Sequence, residues 1–178
     1  MYTRRVADRP KRVAVLGLAG TGKTRFGRAL SERLGAPFVE LDALHWRPGW
    51  VEATAEELRE LVEPLVAGET WVVDGAYRRK IGDFVLASAD LVVWLDLPVW
   101  VWFPRLLRRT LRRAIRREEF LNGNRETLRG ALWSRDSLLL YALRSRASVR
   151  RRYPTELAAY NLVRLRSRSD VDRFLRAL

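Results

Sequence analysis

Apolar residues come along this chain in short unbroken runs, each followed by a polar or glycine-rich break and then by a stretch with helical spacing. Val13 to Leu16 is the first such run, and its lack of polar alternation is the pattern of a strand covered on both faces. The same reading predicts further strands at Pro37–Leu41, Trp71–Val73, Leu91–Leu95 and Leu162–Leu165. Between them apolar positions recur every three or four residues: Phe26, Ala29, Leu30 and Leu34, then Leu58, Leu61 and Val62, then Leu106, Leu107, Leu111, Ala114 and Ile115. Strands alternating with helices call for right-handed crossovers, and hence for an α/β fold with a parallel sheet and helices on both faces.

Punctuation residues divide the pattern. Gly35 and Gly68 stop two helices, and Thr54 with Glu57 forms a capping box for the second of them. Asn124 is placed to cap a helical region over 125–150, Pro154 reads as an interruption, and Ser169 with Asp172 reads as the cap of the final helix. Residues 43–50, which carry Trp46 and Trp50, fit neither period. Residues 1–10 read as a frayed start to a single domain spanning 1–178.

The chemistry concentrates where the first strand meets the first helix, in RVAVLGLAGTGKTRFGRALSERL. Gly17, Gly22, Lys23 and Thr24 fit G-x-x-x-x-G-K-[ST], a pattern in which bare backbone N–H groups point inward around a phosphate and glycine must occupy the tight positions. Gly20 loosens the turn, with Thr21 beside it. Lys23 can reach terminal phosphates as a point charge, the Thr24 hydroxyl can ligate Mg²⁺, and the helix that continues through Arg25 aims its positive end at the same anion. The pattern lies between a strand and a helix, the context it requires. The fold class is therefore the three-layer P-loop NTPase, with a five-stranded parallel sheet in the expected order 2-3-1-4-5 and a helical lid.

Two strand ends add carboxylates. Asp42 follows the second strand and Asp74 the third, at the carboxyl edge where α/β sheets present ligand-binding groups. From about Val99 an amphipathic helix carries Arg105, Arg108, Arg109, Arg112, Arg113, Arg116 and Arg117 on its polar face.

Composition narrows the class. The chain has 178 residues, no cysteine and one histidine, so disulfide frameworks, thiolate zinc sites and imidazole metal clusters are excluded and Mg²⁺ is the one metal implied. The longest apolar run, Leu91 to Phe103, is broken by Asp96 and Pro98, and the basic first residues lack an apolar signal core, so the expectation is a cytoplasmic protein with no membrane partner. A formal charge of +13, almost wholly from arginine, suits phosphorylated ligands or nucleic acid.

The segments ELDALHWRPGW, WVVDGAYR, NGNRETLR and RDSLLLYALR, with the loop, resemble the adenylate kinase-like superfamily of P-loop kinases, and within it the bacterial group labelled DNA topology modulation protein or adenylate kinase-related protein. The resemblance implies that Asp74 holds Mg²⁺ through water and that Arg78, three positions after Gly75, binds phosphate. It implies that Arg105 and Arg109 open a lid over 99–150 and clamp ATP phosphates, with Arg108 and Arg112 as alternatives, and that Arg135 and Arg144 close it. It departs from adenylate kinases between the second and third strands, where 43–70 carries His45, Trp46 and Trp50 in place of an AMP-binding pattern, so the acceptor need not be AMP. Asp42 either hydrogen-bonds an acceptor hydroxyl or acts as its base. The indoles either stack on the acceptor or pack the cleft walls.

The expectation is ATP-Mg²⁺-dependent phosphoryl transfer to a small nucleoside, nucleotide or other metabolite, by a monomer or dimer. The alternative is an ATP-binding, nucleic-acid-associated protein, suggested by the arginine helix. Paired strand-end acids favour the kinase, since a switch has no use for them.

Overall fold

The computed structural model describes residues 9–126 and 138–178. Its centre is a five-stranded, all-parallel sheet of β1 (Arg12–Gly17), β2 (Phe38–Glu40), β3 (Trp71–Asp74), β4 (Leu91–Leu95) and β5 (Leu162–Leu165), in the order β2-β3-β1-β4-β5. That is the order expected. The helices are α1 (Lys23–Leu34), α2 (Leu41–His45), α3 (Ala55–Val66), α4 (Arg78–Ile81), α5 (Phe84–Ala87), α6 (Val99–Arg116), α7 (Leu138–Glu156) and α8 (Arg168–Arg176). None of these is long and apolar enough to cross a membrane.

Alternate side chains of the central strand serve opposite faces, as the pleat requires. Val13 and Val15 point with Val72, Val93 and Leu95 into a core closed by Phe26 and Leu30 of α1 and Phe174 of α8. Ala14 and Leu16 point the other way with Val73, Val92 and Trp94, against Leu58 and Val62 of α3 and Leu86 of α5. Both faces are dry, which is why the strand sequences lack polar alternation.

A third cluster positions the site. Trp102 and Leu106 of α6 pack with Leu97 and with Leu139 and Ala142 of α7, and Leu18 and Ala19 of the glycine loop lie against them. Gly20 permits this approach: at φ +83° a Cβ there would stand 2.8 Å from both Leu106 Cβ and the Trp102 carbonyl. Helix α6 is thus seated on the phosphate loop.

The register sets the functional edge. Val15 and Glu40 each pair with Asp74, and Gly17 pairs with Leu95, so the loop and both acids lie at the carboxyl ends of adjoining strands. Just past β4, Asp96 is buried and accepts hydrogen bonds from Arg150 of α7 and Arg164 of β5, fastening that helix to the sheet.

Several local expectations need correction. Asp42 lies in the short helix α2 rather than at a strand end, because β2 stops at Glu40. Residues 46–52 form a small antiparallel ribbon, Trp46–Arg47 with Val51–Glu52, around a 3-10 turn with Gly49 at φ +78°. Asn124 caps no helix: it sits in a second ribbon, Glu119–Phe120 with Asn124–Arg125, and its side chain is spent on neighbouring backbone. The final helix is capped two residues earlier than expected, by Ser167 with Asp170, a box of the same spacing. Pro154 lies inside α7, near its end, where its missing N–H costs a single helical bond. The Thr54–Glu57 capping box is present with both of its hydrogen bonds.

Candidate active site

Helix α1 has no side-chain cap and no acid in its first turn, in contrast to the capping boxes of α3 and α8. Its first helical bond runs from the Phe26 N–H to the Gly22 carbonyl, so by helix geometry the amides of Lys23, Thr24 and Arg25 are left for a ligand. The loop before it is braced from within: the Thr21 hydroxyl donates to the Leu18 carbonyl at 2.7 Å, and a Cβ on Gly17 would lie 2.8 Å from that hydroxyl. Gly22, at φ +91°, has open space where a Cβ would stand. A cradle that tolerates no added carbon behind it and stays open in front fits a polyphosphate.

Beside the cradle, the Thr24 hydroxyl donates to Asp74 Oδ2 at 2.7 Å, and Lys23 Nζ lies 3.9 Å from Asp74 Oδ1. Asp74 is 5% exposed, and burial pushes its carboxyl above the usual range against the pull of Lys23 and the Thr24 hydroxyl. Glu40 is also raised, first by burial and then by the charges of Asp74 and Asp42. The mutual repulsion of these acids marks an acidic cluster beside the phosphate cradle, and its oxygen donors suit Mg²⁺. Among the described residues no three acidic or imidazole groups form a ready-made metal cluster. Mg²⁺ commonly keeps several waters and takes one or two protein oxygens plus phosphate, which matches this sparse set.

Sequence reading had passed over Glu40. The signal was its place at the carboxyl end of a strand, two residues before Asp42. Arg28 was missed as well. It lies one helical turn beyond Thr24, with its guanidinium 3.7 Å from Glu40 Oε2 and 4.8 Å from the centre of the Phe38 ring.

Asp42 Oδ1 accepts a hydrogen bond from the Tyr77 hydroxyl at 2.7 Å. Tyr77 precedes α4 in the left-handed region, at φ +45°, which costs a non-glycine residue about 1 kcal/mol or more and turns its ring back toward α2. The ring packs 4.6 Å from that of His45, and His45 lies edge-on to Trp46 at 4.8 Å. His45 is buried, and burial holds its imidazole below the ordinary value; Nδ1 has no partner. Trp46 and Trp50 meet edge-to-face at 5.5 Å.

The arginines separate into different roles. Arg109 is largely covered, its Nε has no hydrogen-bond partner, and burial followed by Arg113 lowers its pKa, while the opposing charges acting on it are Glu126, Asp42 and Glu40. It is therefore a desolvated guanidinium within the field of those acids. Its neighbour Arg113 is occupied with Glu126 at 3.5 Å and with the Phe120 ring at 3.5 Å. Arg105 is exposed on the loop side, where desolvation and then Arg168 and Arg25 lower its pKa. Arg78 binds both oxygens of Asp83 and reaches Glu156 Oε2 of α7 at 2.9 Å, contacts that hold its pKa up. Arg144 is exposed on α7, and Arg135 lies outside the described residues.

The geometry has counterparts among known proteins. The model of the ATPase family associated with various cellular activities (AAA) matches residues 13–73, which include the loop and the strands beside it. The shikimate kinase of Symbiobacterium thermophilum is 36% identical over 104 residues, covering 47% of this chain and 56% of that protein. The chain thus aligns with little more than half the length of that relative. Among solved structures, a gluconokinase from Sinorhizobium meliloti 1021 superposes with a TM-score of 0.54 at 24% identity, covering 94% of this chain and 89% of that one. A shikimate kinase from Acinetobacter baumannii in complex with shikimate gives a TM-score of 0.55 at 18% identity, covering 93% and 91%. By sheet order and these likenesses the chain has the fold of the solved small-molecule kinases, and its loop carries the G-x-x-x-x-G-K-[ST] pattern.

Proposed function

We propose that this protein transfers a phosphoryl group from ATP–Mg²⁺ to a hydroxyl of a small-molecule acceptor. The observation that carries the reading is the placement of two separately held acids around one cradle. Asp74 is bound to Thr24 at the metal side, and Asp42 is bound to Tyr77 at the acceptor side. A nucleotide switch needs the first and has no use for the second.

Bound ATP–Mg²⁺ would supply the transferable phosphoryl group and the divalent charge. The loop amides and Lys23 would hold its phosphates, and Thr24 with Asp74 the metal ion. Asp42, fixed by the Tyr77 hydroxyl, would orient the acceptor hydroxyl and receive its proton as the acceptor oxygen bonds to the γ-phosphorus and the bond from that phosphorus to the β-phosphate oxygen breaks, leaving ADP. Arg109, desolvated and without a partner at Nε, offsets the charge that spreads over the transferred group, where a fixed cation in a dry site acts most strongly.

The shikimate kinase and gluconokinase likenesses support a hydroxylated metabolite as acceptor, and the edge-to-face indoles suit one wall of such a pocket. We keep the resemblance to the adenylate kinase-related bacterial group as our own finer reading, resting on the four segments quoted above, and we place the reaction in the cytoplasm. A nucleic-acid role has no comparable observation behind it: on the outer face of α6, Arg112 and Arg116 are turned to Glu118.

The test is a phosphorylation screen with labelled ATP over polyhydroxy acids, sugars and nucleosides, run beside Asp42→Asn. Transfer to at least one acceptor, lost in Asp42→Asn with ATP affinity kept, is the expected result. Acceptor-independent ATP hydrolysis that is indifferent to Asp42→Asn would overturn the proposal.

A further inference from the structure

Helix α2, which carries Asp42, is five residues long, too short to hold itself in water. Its geometry must be imposed from outside, and the imposing groups come from about 75 residues away in the chain. The Asn122 side-chain amide donates to the carbonyls of Ala43, at 2.8 Å, and Trp46, at 2.6 Å. The Asn124 amide donates to the Arg47 carbonyl at 2.8 Å and, on its own side, to Leu121 at 2.7 Å. Asn124 Oδ1 accepts from the Trp50 N–H at 2.7 Å, and the Trp50 indole donates to the Arg125 carbonyl at 3.2 Å.

The turn that presents these groups is built for the purpose. Leu121, Asn122 and Gly123 all have positive φ, at 41°, 62° and 80°, and Asn124 is 3% exposed although fully polar. Asn tolerates the left-handed region better than most residues and carries a donor pair, so Asn-Gly-Asn reconciles the tight turn with the hydrogen bonds. The turn is in turn tied to α6, because Arg113 stacks on Phe120 and pairs with Glu126 on either side of it. A continuous path therefore runs from α6, seated on the phosphate loop, through the turn to the segment that begins at Asp42.

We propose that Asn122 and Asn124 are positioning residues that set the acceptor side of the site from α6, so that nucleotide on the phosphate loop orders residues 43–52. This rests on the kinase reading for its purpose, and the link itself is a matter of geometry. It makes acceptor affinity depend on nucleotide, and by linkage the reverse.

Asn122→Gly is the informative variant. Glycine keeps the backbone at φ +62° without strain and removes both hydrogen bonds, so folding survives. Hydrogen exchange, followed by mass spectrometry with and without AMP-PNP and Mg²⁺, reads three segments: 17–24, 43–52 and, as a core reference, 91–95. Without nucleotide, 43–52 should exchange about tenfold faster in the variant than in the wild type, with 91–95 unchanged. With nucleotide, the wild type should slow at both 17–24 and 43–52, and the variant at 17–24 alone. A merely structural role would leave the nucleotide-dependent slowing intact at 43–52, and that result overturns the proposal, as does an unchanged rate without nucleotide. Absence of slowing at 17–24 in the wild type would instead sink the nucleotide reading, and the link would then stand or fall on the nucleotide-free comparison. Asn124→Ala, which removes three hydrogen bonds, should repeat the pattern more strongly.

Discussion

Gly20 and Gly22 stand two residues apart in the phosphate loop, both in the left-handed region, at φ +83° and +91°, yet replacing each with alanine should have different consequences. Either substitution places a Cβ where L-residues are disfavoured, a cost of about 1–2 kcal/mol. At Gly22 nothing more is expected, since the new carbon would meet no atom within 4 Å. At Gly20 it would come within 2.8 Å of Leu106 Cβ and of the Trp102 carbonyl, and the second of these is helical backbone in the first turn of α6 and cannot swing aside as a side chain would. Overpacking of this kind adds about 1–3 kcal/mol, bringing Gly20→Ala to roughly 2–5 kcal/mol. For a chain of this length each kcal/mol moves Tm by about 2–4 °C, so Gly20→Ala should melt several degrees below Gly22→Ala. Calorimetric or circular-dichroism melts of the two variants without nucleotide check this. Equal melting losses, or a larger loss at Gly22, would refute the seating of α6 on the loop.

Lys23→Ala should stay folded while nucleotide binding by titration calorimetry falls at least about 100-fold, because Lys23 supplies charge at the phosphates and little packing. Arg109→Ala should lower kcat by roughly 10- to 1000-fold by removing a desolvated cation from the transferred group, whereas Arg112→Ala, on the outer face, should be nearly silent; equal losses in steady-state assays would count against the assignment. Glu40→Gln should raise the melting temperature of the nucleotide-free protein at pH 7.5. The sign follows from the raised pKa of Glu40: protonation favours the fold, that stabilisation is complete below the ordinary value of 4.5, and it is lost as pH rises through the higher folded value. Glutamine mimics the protonated form at every pH, so its advantage should vanish in melts near pH 4, and an advantage that persists there would contradict the cause given.

How much of this was legible in the sequence depends on whether the signal was local. The strands β1, β3 and β4 were readable because burial on both faces leaves no polar alternation, and the phosphate loop because its glycines must sit at fixed spacing between a strand and a helix. Thr54 with Glu57 was readable for the same reason, since a capping box closes within four residues. The acceptor side was not. Asp42 was found by position, but its anchor Tyr77 and its neighbour Glu40 gain meaning only when β2 and β3 lie side by side in register. Asn124 looked like a helix cap because the residues it grips, Arg47 and Trp50, are distant in the chain and carry no matching pattern. The resemblance marks Arg78 for phosphate, and nothing local announces Asp83 and Glu156 closing around it.

The order β2-β3-β1-β4-β5 also dictates when this sheet can be completed. Strand β5 covers the outer edge of β4, with Val92 beside Leu162 and Leu95 beside Leu165, although about 70 residues separate the two in the chain. At ribosomal rates of 5–20 residues per second, β4 would wait roughly 4–14 s for its neighbour, its carbonyls and amides open to any passing strand. For most of that interval Asp96 also lacks both of its arginines, because Arg150 and Arg164 have yet to be made. Nascent chains paused between residues 95 and 165 are thus the species in which this fold is most exposed to aggregation, and the ones a cellular chaperone would be expected to hold.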